Sequence, residues 1–163
     1  MAVGAAAQSY DSVSRNSIEL TTGFSPIHTR IMYGDDGNKL YPNLGLGYTH
    51  AMNGKWDFNA YLGLATAKVY DNGQEEAVKA DFRYSISGGI DFRFKWYHND
   101  NLRLYSSLGF GLNPSAVADG IPIPIPYLTP LGINFGRGTV YGIGELTVGP
   151  LATFWLAGIG FRL

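Results

Sequence analysis

Residues 81 to 96 alternate without interruption. Phe82, Tyr84, Ile86, Gly88, Ile90, Phe92, Phe94 and Trp96 take the even positions, and Asp81, Arg83, Ser85, Ser87, Gly89, Asp91, Arg93 and Lys95 the odd ones. Successive side chains of a strand point to opposite faces, so this segment is one strand with an apolar face and a polar or glycine face. It is far longer than an ordinary strand of about 5–6 residues. A strand of that length exposes a long row of backbone donors and acceptors on each edge. Closing the sheet on itself removes those edges.

The same period recurs along the chain. It is clear over 17–26, 40–52, 56–66, 102–112 and 152–163, rougher over 127–135, and ambiguous in phase over 139–148. Together with 81–96 these segments make eight strands. Their connections alternate in length. Long polar links at about 27–39, 71–76 and 113–126 alternate with tight ones at Asn53-Gly54, His98–Asn101 and Gly136–Gly138, and a short Gly149-Pro150 link precedes the last strand. The Asn-Gly pair is a favoured hairpin dipeptide. Long loops on one rim and tight turns on the other predict an all-β, eight-stranded, antiparallel up-and-down barrel over 16–163. Residues 1–15, with Ala5-Ala6-Ala7, are expected to be a flexible leader or the remnant of a signal peptide.

Two opposite proteins share this outline. A soluble lipocalin-like carrier has an apolar interior, whereas a membrane barrel has an apolar belt outside and a polar interior. Gly45, Gly47, Gly63, Gly89, Gly109, Gly111, Gly158 and Gly160 all lie on the polar face. An eight-stranded barrel is just wide enough inside for side chains, so that face reads as the interior. Trp56, Phe94 and Trp96 lie on the apolar face beside tight turns, as an interfacial aromatic girdle would. The polar face then carries Glu19, Asp57, Asp91, Arg93, Lys95, Arg103 and Arg162, with Glu145 joining if the odd positions of the seventh strand point inward. Charges enclosed together must be paired, so an interior salt-bridge network closing the lumen is expected. Tyr41, Tyr61, Tyr105, Phe154 and Leu156 are expected to fill the space that the glycines leave.

Composition excludes several functions. Twelve Lys and Arg against thirteen Asp and Glu give a net charge of −1, without the basic excess that nucleic-acid binding needs. The chain has no Cys, which removes thiolate metal sites and cysteine nucleophiles. No apolar run approaches the ~18 residues of a transmembrane helix.

The segments Pro130–Gly136, Gly144-Glu145-Leu146 and Ala157–Leu163, with a terminal strand ending Phe161-Arg162-Leu163, resemble the small eight-stranded outer-membrane barrels of Gram-negative bacteria, in particular the Bacteroidetes-type outer membrane protein beta-barrel. Many such proteins end in Phe, where this one ends in Leu163. The resemblance implies residence in the bacterial outer membrane, contact with the lipid bilayer and lipopolysaccharide, a monomer, and termini and tight turns on the periplasmic side. It implies little about activity, because the family includes adhesins, structural barrels, small pores and lipid-modifying enzymes.

Acyl transfer would need a nucleophile, a base within hydrogen-bond reach and an orienting acid. His28 opens the first long loop, His50 fits an interfacial anchor and His98 a turn; none stands in a His-x-Ser pattern. No catalytic residue, metal site or cofactor is therefore expected. Asp35-Asp36 and Glu75-Glu76 read as solvated loop charge. Ile121, Ile123 and Ile125 alternate with Pro122, Pro124 and Pro126. Proline cannot donate to a ladder, so this run is expected as an extended loop whose isoleucines form a contact surface. The expected function is a structural or surface-interaction protein acting through loops 29–38, 71–79 and 113–126. The alternatives are a small channel or conduit for small or apolar solutes, a lipid-modifying enzyme, and a soluble carrier.

Overall fold

A computed structural model describes residues 15–24, 42–69, 81–118, 121–148 and 155–163. Eight antiparallel strands, β1 (Asn16–Phe24), β2 (Pro42–Ala51), β3 (Trp56–Val69), β4 (Asp81–His98), β5 (Leu102–Ala118), β6 (Ile121–Phe135), β7 (Val140–Val148) and β8 (Trp155–Arg162), follow one another round a closed barrel. The closure is the β1–β8 ladder, from Ser17↔Arg162 to Phe24↔Trp155. This is the transmembrane eight-stranded up-and-down barrel that the alternation predicts.

The outward face is apolar. Leu44, Leu46, Leu62, Ile86, Ile90, Phe92, Leu108, Phe110 and Leu128 are all exposed. Inside, the buried side chains are Tyr105, Tyr127, Tyr141 and Ile143 together with a larger polar set that includes Glu19, Asp57, Asp91, Arg93 and Lys95. A soluble carrier has the reverse arrangement, so that alternative is overturned. Trp56, Phe94 and Trp96 are exposed on the outward face near the tight turns, with the Trp56 and Phe94 rings 5.0 Å apart.

The tight turns are built in two ways. In the β2–β3 turn, Asn53 Oδ1 accepts from the amides of Lys55 and Trp56, both at 2.8 Å. In the β4–β5 turn, Asn99 Oδ1 accepts from Asn101 and Leu102 at 2.9 and 2.7 Å. The asparagine side chain thus replaces a backbone turn bond in both. Gly54 does not take the left-handed conformation that the Asn-Gly hairpin expectation needs. Gly136 (φ 135°) and Gly138 (φ 86°) do, in the β6–β7 turn.

Two bulges explain the imperfect alternation. In β4, Lys95 faces Tyr105 and Tyr97 faces Leu104, so Trp96 is an extra residue and Tyr97 joins it outside. In β6, the register skips one residue between Thr129 and Gly132 against β5, and between Leu128 and Leu131 against β7. Pro130 sits in both skips. Tyr127 and Thr129 before it and Gly132 and Asn134 after it are all buried inside. The rough pattern of 127–135 is thus a clean alternation with one residue inserted, at a proline that could not have served a regular ladder.

The isoleucine–proline run is corrected by the structure. Ile121, Ile123 and Ile125 belong to β6, which pairs with β5 as Ala118↔Ile121, Gly111↔Ile125 and Leu112↔Pro124. Ile125 is half-buried in the inward phase, and Pro124 and Pro126 are exposed. The prolines are tolerated because the β6–β7 ladder begins only at Leu128↔Val148, so nothing described on the β7 side needs their missing N–H. Loops 29–38 and 71–79, residues 1–14 of the leader, His28, Asp35, Asp36, Glu75, Glu76, Tyr41 and Phe154 lie outside the described residues.

The Pro130 bulge gives a sharp test. Deleting Pro130 removes the inserted residue and leaves Tyr127, Thr129, Gly132 and Asn134 in one inward phase, so the deletion should keep the folded, heat-modifiable band on unboiled gels, whereas one alanine inserted after Gly132 turns one half of β6 over and should abolish it. Pro130→Ala keeps the count and should retain it.

Candidate functional site

Arg93 comes from the inward face of β4, across the ladder from Asp57, and is 5 % exposed. Its guanidinium meets three carboxylates: Nη1 lies 2.9 Å from Glu19 of β1, Nη2 3.3 Å from Glu145 of β7, and Nε 3.4 Å from Asp91, two residues back on β4. Nη1 also donates to Thr49 Oγ1 at 3.2 Å. The odd positions of β7 do point inward, which brings Glu145 to the cluster.

Each carboxylate also accepts from a tyrosine hydroxyl. Tyr141 donates to Glu19 at 2.8 Å, Tyr105 to Glu145 at 2.5 Å, and Tyr127 to Asp91 Oδ2 at 2.9 Å. Asn59 Nδ2 donates to the same Asp91 oxygen at 2.6 Å. The Tyr105 ring further packs against the guanidinium, 5.0 Å from its carbon. The tyrosines thus supply hydrogen bonds that one guanidinium cannot give to three acids.

Glycines position those rings. Across the ladders Tyr105 faces Gly132, Tyr127 faces Gly109, Tyr61 faces Gly89 and Tyr141 faces Gly160. A Cβ added at any of the four glycines would strike the ring of the facing tyrosine. The space a side chain would fill in this narrow interior is taken by a neighbour's ring instead. Sequence reading places glycine and tyrosine on one face without showing which faces which, because register is absent from it. Tyr105, Tyr127, Tyr141 and Asn59 are consequently the residues it misses as partners of the acids.

Nearer the tight turns, Lys95 Nζ lies 2.6 Å from Asp57 Oδ1 and 3.1 Å from the carbonyl of Asn53. Both side chains are buried. The interior charges therefore form two groups, where one network was expected. Arg103 is half-buried at the rim across from Asn134 and joins neither group. Arg162 stacks on the Tyr141 ring at 4.8 Å and donates to the carbonyl of Gly138. Around Arg93 three acids meet one base.

On the opposite side of Arg93 from the tight turns lies a cavity of about 90 Å³, bounded by Gly45, Gly63, Ser87, Asp91, Tyr127 and Leu156 among others. Tyr61 and Tyr127, packed edge to face at 5.5 Å, narrow it. The expected filling by tyrosine is thus incomplete. His50 lies at the outer face, its Nδ1 2.8 Å from Asn16 Oδ1, an oxygen that also accepts from Tyr48 at 2.8 Å. His98 is exposed at the end of β4.

No family model matches this chain, and no curated protein does. Nothing in those comparisons supports a Bacteroidetes-type assignment. Among solved structures, the de novo designed barrel TMB2.3 superposes with a TM-score of 0.55 at 13% identity, over 95% of this chain and 98% of that one. Ail, the attachment invasion locus protein of Yersinia pestis, gives 0.49 at 18% identity, over 92% and 97%. Both are small eight-stranded transmembrane barrels.

Arg93→Ala strands three buried carboxylates and should cost about 3–5 kcal/mol, the usual penalty for removing one partner of a buried ion pair. Gly132→Val drives a side chain into the Tyr105 ring and should cost about 1–3 kcal/mol, as overpacking does. Urea unfolding in lipid vesicles, followed by tryptophan fluorescence, measures both.

Proposed function

We propose that this protein is an integral outer-membrane barrel with a closed interior, acting as a structural or surface-interaction protein through the end opposite its tight turns. The observation that carries the reading is the pairing of an apolar outward belt with a lumen crossed by the Arg93 and Lys95 groups. β4, β5 and β6 run for 18, 17 and 15 residues, against the roughly 9–11 that a tilted strand needs to cross a bilayer. The surplus length extends beyond the shorter β1, β2, β7 and β8 and raises one wall of the barrel, a platform for surface contacts. The likeness of the C-terminal third to Bacteroidetes-type barrels belongs to this reading, as do contact with lipopolysaccharide, a monomeric state and non-enzymatic action.

A small channel is the second reading, favoured by the cavity above Arg93. The buried Arg93 and Lys95 clusters below it argue against free passage. Wild-type protein in planar bilayers should show no steady conductance; steady openings that change with charge at Arg93 would replace the structural reading with the channel one. Membrane residence is tested separately. Leu62→Arg places a charge in the middle of the outward belt and should destabilise the barrel in vesicles by about 2–4 kcal/mol. The protein should also partition with detergent-extracted outer membranes and shift between unboiled and boiled gel samples. Recovery in the aqueous fraction would overturn the proposal.

A further inference from the structure

We propose that the cavity above Arg93 is a binding site for a monovalent cation, an alkali ion or ammonium that keeps part of its water shell. Two independent observations meet there. The first is charge. Among the described residues, Glu19, Asp91 and Glu145 surround one guanidinium, a formal surplus of two negative charges in this cluster. Uncompensated charge in such surroundings is costly.

The second is a buried carboxylate oxygen that accepts no hydrogen bond. Asp91 is 3 % exposed, and both hydrogen bonds to its carboxylate, from Asn59 and Tyr127, fall on Oδ2. Oδ1 accepts none, and neither does Arg93 Nε, 3.4 Å away, donate one. Asp91 borders the cavity, and so do Thr21, Asn43 and Ser87, which add neutral oxygens.

The chemistry selects the charge class of the ion. Calcium takes six to eight oxygens, commonly with several carboxylates among them, and magnesium dehydrates so reluctantly that it needs room for several waters. Among the described residues no group of three or more acidic or histidine side chains is set to chelate a metal. Glu19 and Glu145 are already engaged with Arg93 and tyrosine hydroxyls. One open carboxylate oxygen, a few neutral oxygens and retained water suit a weakly hydrated monovalent ion. The volume of about 90 Å³ leaves room for it with water, since one water needs only about 10–15 Å³ of such space. The inference is independent of what the outer end of the barrel contacts.

The test uses the whole barrel in detergent micelles. The temperature at which the folded gel band disappears is measured in potassium, rubidium and N-methylglucamine chlorides at equal ionic strength, the last cation being too large to enter. Crystals containing rubidium are examined by anomalous diffraction. A higher transition temperature in potassium and rubidium than in N-methylglucamine, and a rubidium peak against Asp91 Oδ1, are expected. Asp91→Asn should abolish both differences. Should that variant fail to fold, Ser87→Val, which narrows the cavity and leaves the acids in place, should do the same. Equal transition temperatures in the three salts would overturn the proposal. So would Asp91 Oδ1 closed onto Arg93 Nε with no ion present, or a salt difference that survives the substitutions.

Discussion

The Arg93 guanidinium organises the interior. It keeps its charge at any accessible pH and offers five donors in a fixed plane, so once enclosed it has to be met by anions in defined positions. Those anions come from β1, β4 and β7, strands of which no two are neighbours round the barrel. The cluster therefore ties together ladders that share no direct pairing. A slip of one residue in β1 or β7 would turn Glu19 or Glu145 outward into the apolar belt and leave Arg93 short of a partner. The apolar belt discriminates poorly between registers, because leucine in lipid gains little from facing one neighbour over another. Register is thus specified mainly from the inside, by the charges and the tyrosines bound to them.

The tyrosines need room, and the glycines supply it. A strand rich in glycine is weak in isolation, since glycine loses the most conformational freedom on folding and contributes no side chain to packing. Here each weak point is covered by a ring from the next strand, and three of the four rings also carry a hydroxyl to an acid of the Arg93 cluster. Packing and electrostatics therefore act through the same residues. A side chain at Gly132 both crowds Tyr105 and moves the donor that holds Glu145.

Strand number, topology and the sense of the two faces were legible because each rests on a local pattern: period two, loop length, and the placement of glycine. The alternation of 81–96 located Asp91, Arg93 and Lys95 on one face, and that of 17–26 placed Glu19. What partners what was not legible, because it depends on register between strands separated by tens of residues. Arg103 was grouped with the interior charges for its phase, yet it lies at the rim. The β6 bulge hid behind the rough alternation of 127–135, and the β4 bulge falls at Trp96, where the clean run of 81–96 ends. In β6, Pro130 was itself the signal: a proline inside a strand with partners on both sides is compatible only with a break in the ladder. The prolines at 122, 124 and 126 carried a different message and were misread as loop.

Those three prolines occupy every second position of a strand that has β5 on one side and, among the described residues, no partner on the other above Leu128. Backbone N–H groups of a strand point alternately to its two sides. With proline at the even positions, the ladder to β5 has to be made by the odd residues Ile121, Ile123 and Ile125, and the missing donors all belong to the opposite edge. That edge lies along the tall wall of the barrel, where an unblocked strand would offer a row of donors for pairing with another chain. Removing the donors from that edge alone keeps β6 attached to β5 while making the edge a poor template for a further strand. The run that looked unfit for a barrel is thus suited to a stretch of β6 that, among the described residues, pairs with β5 alone.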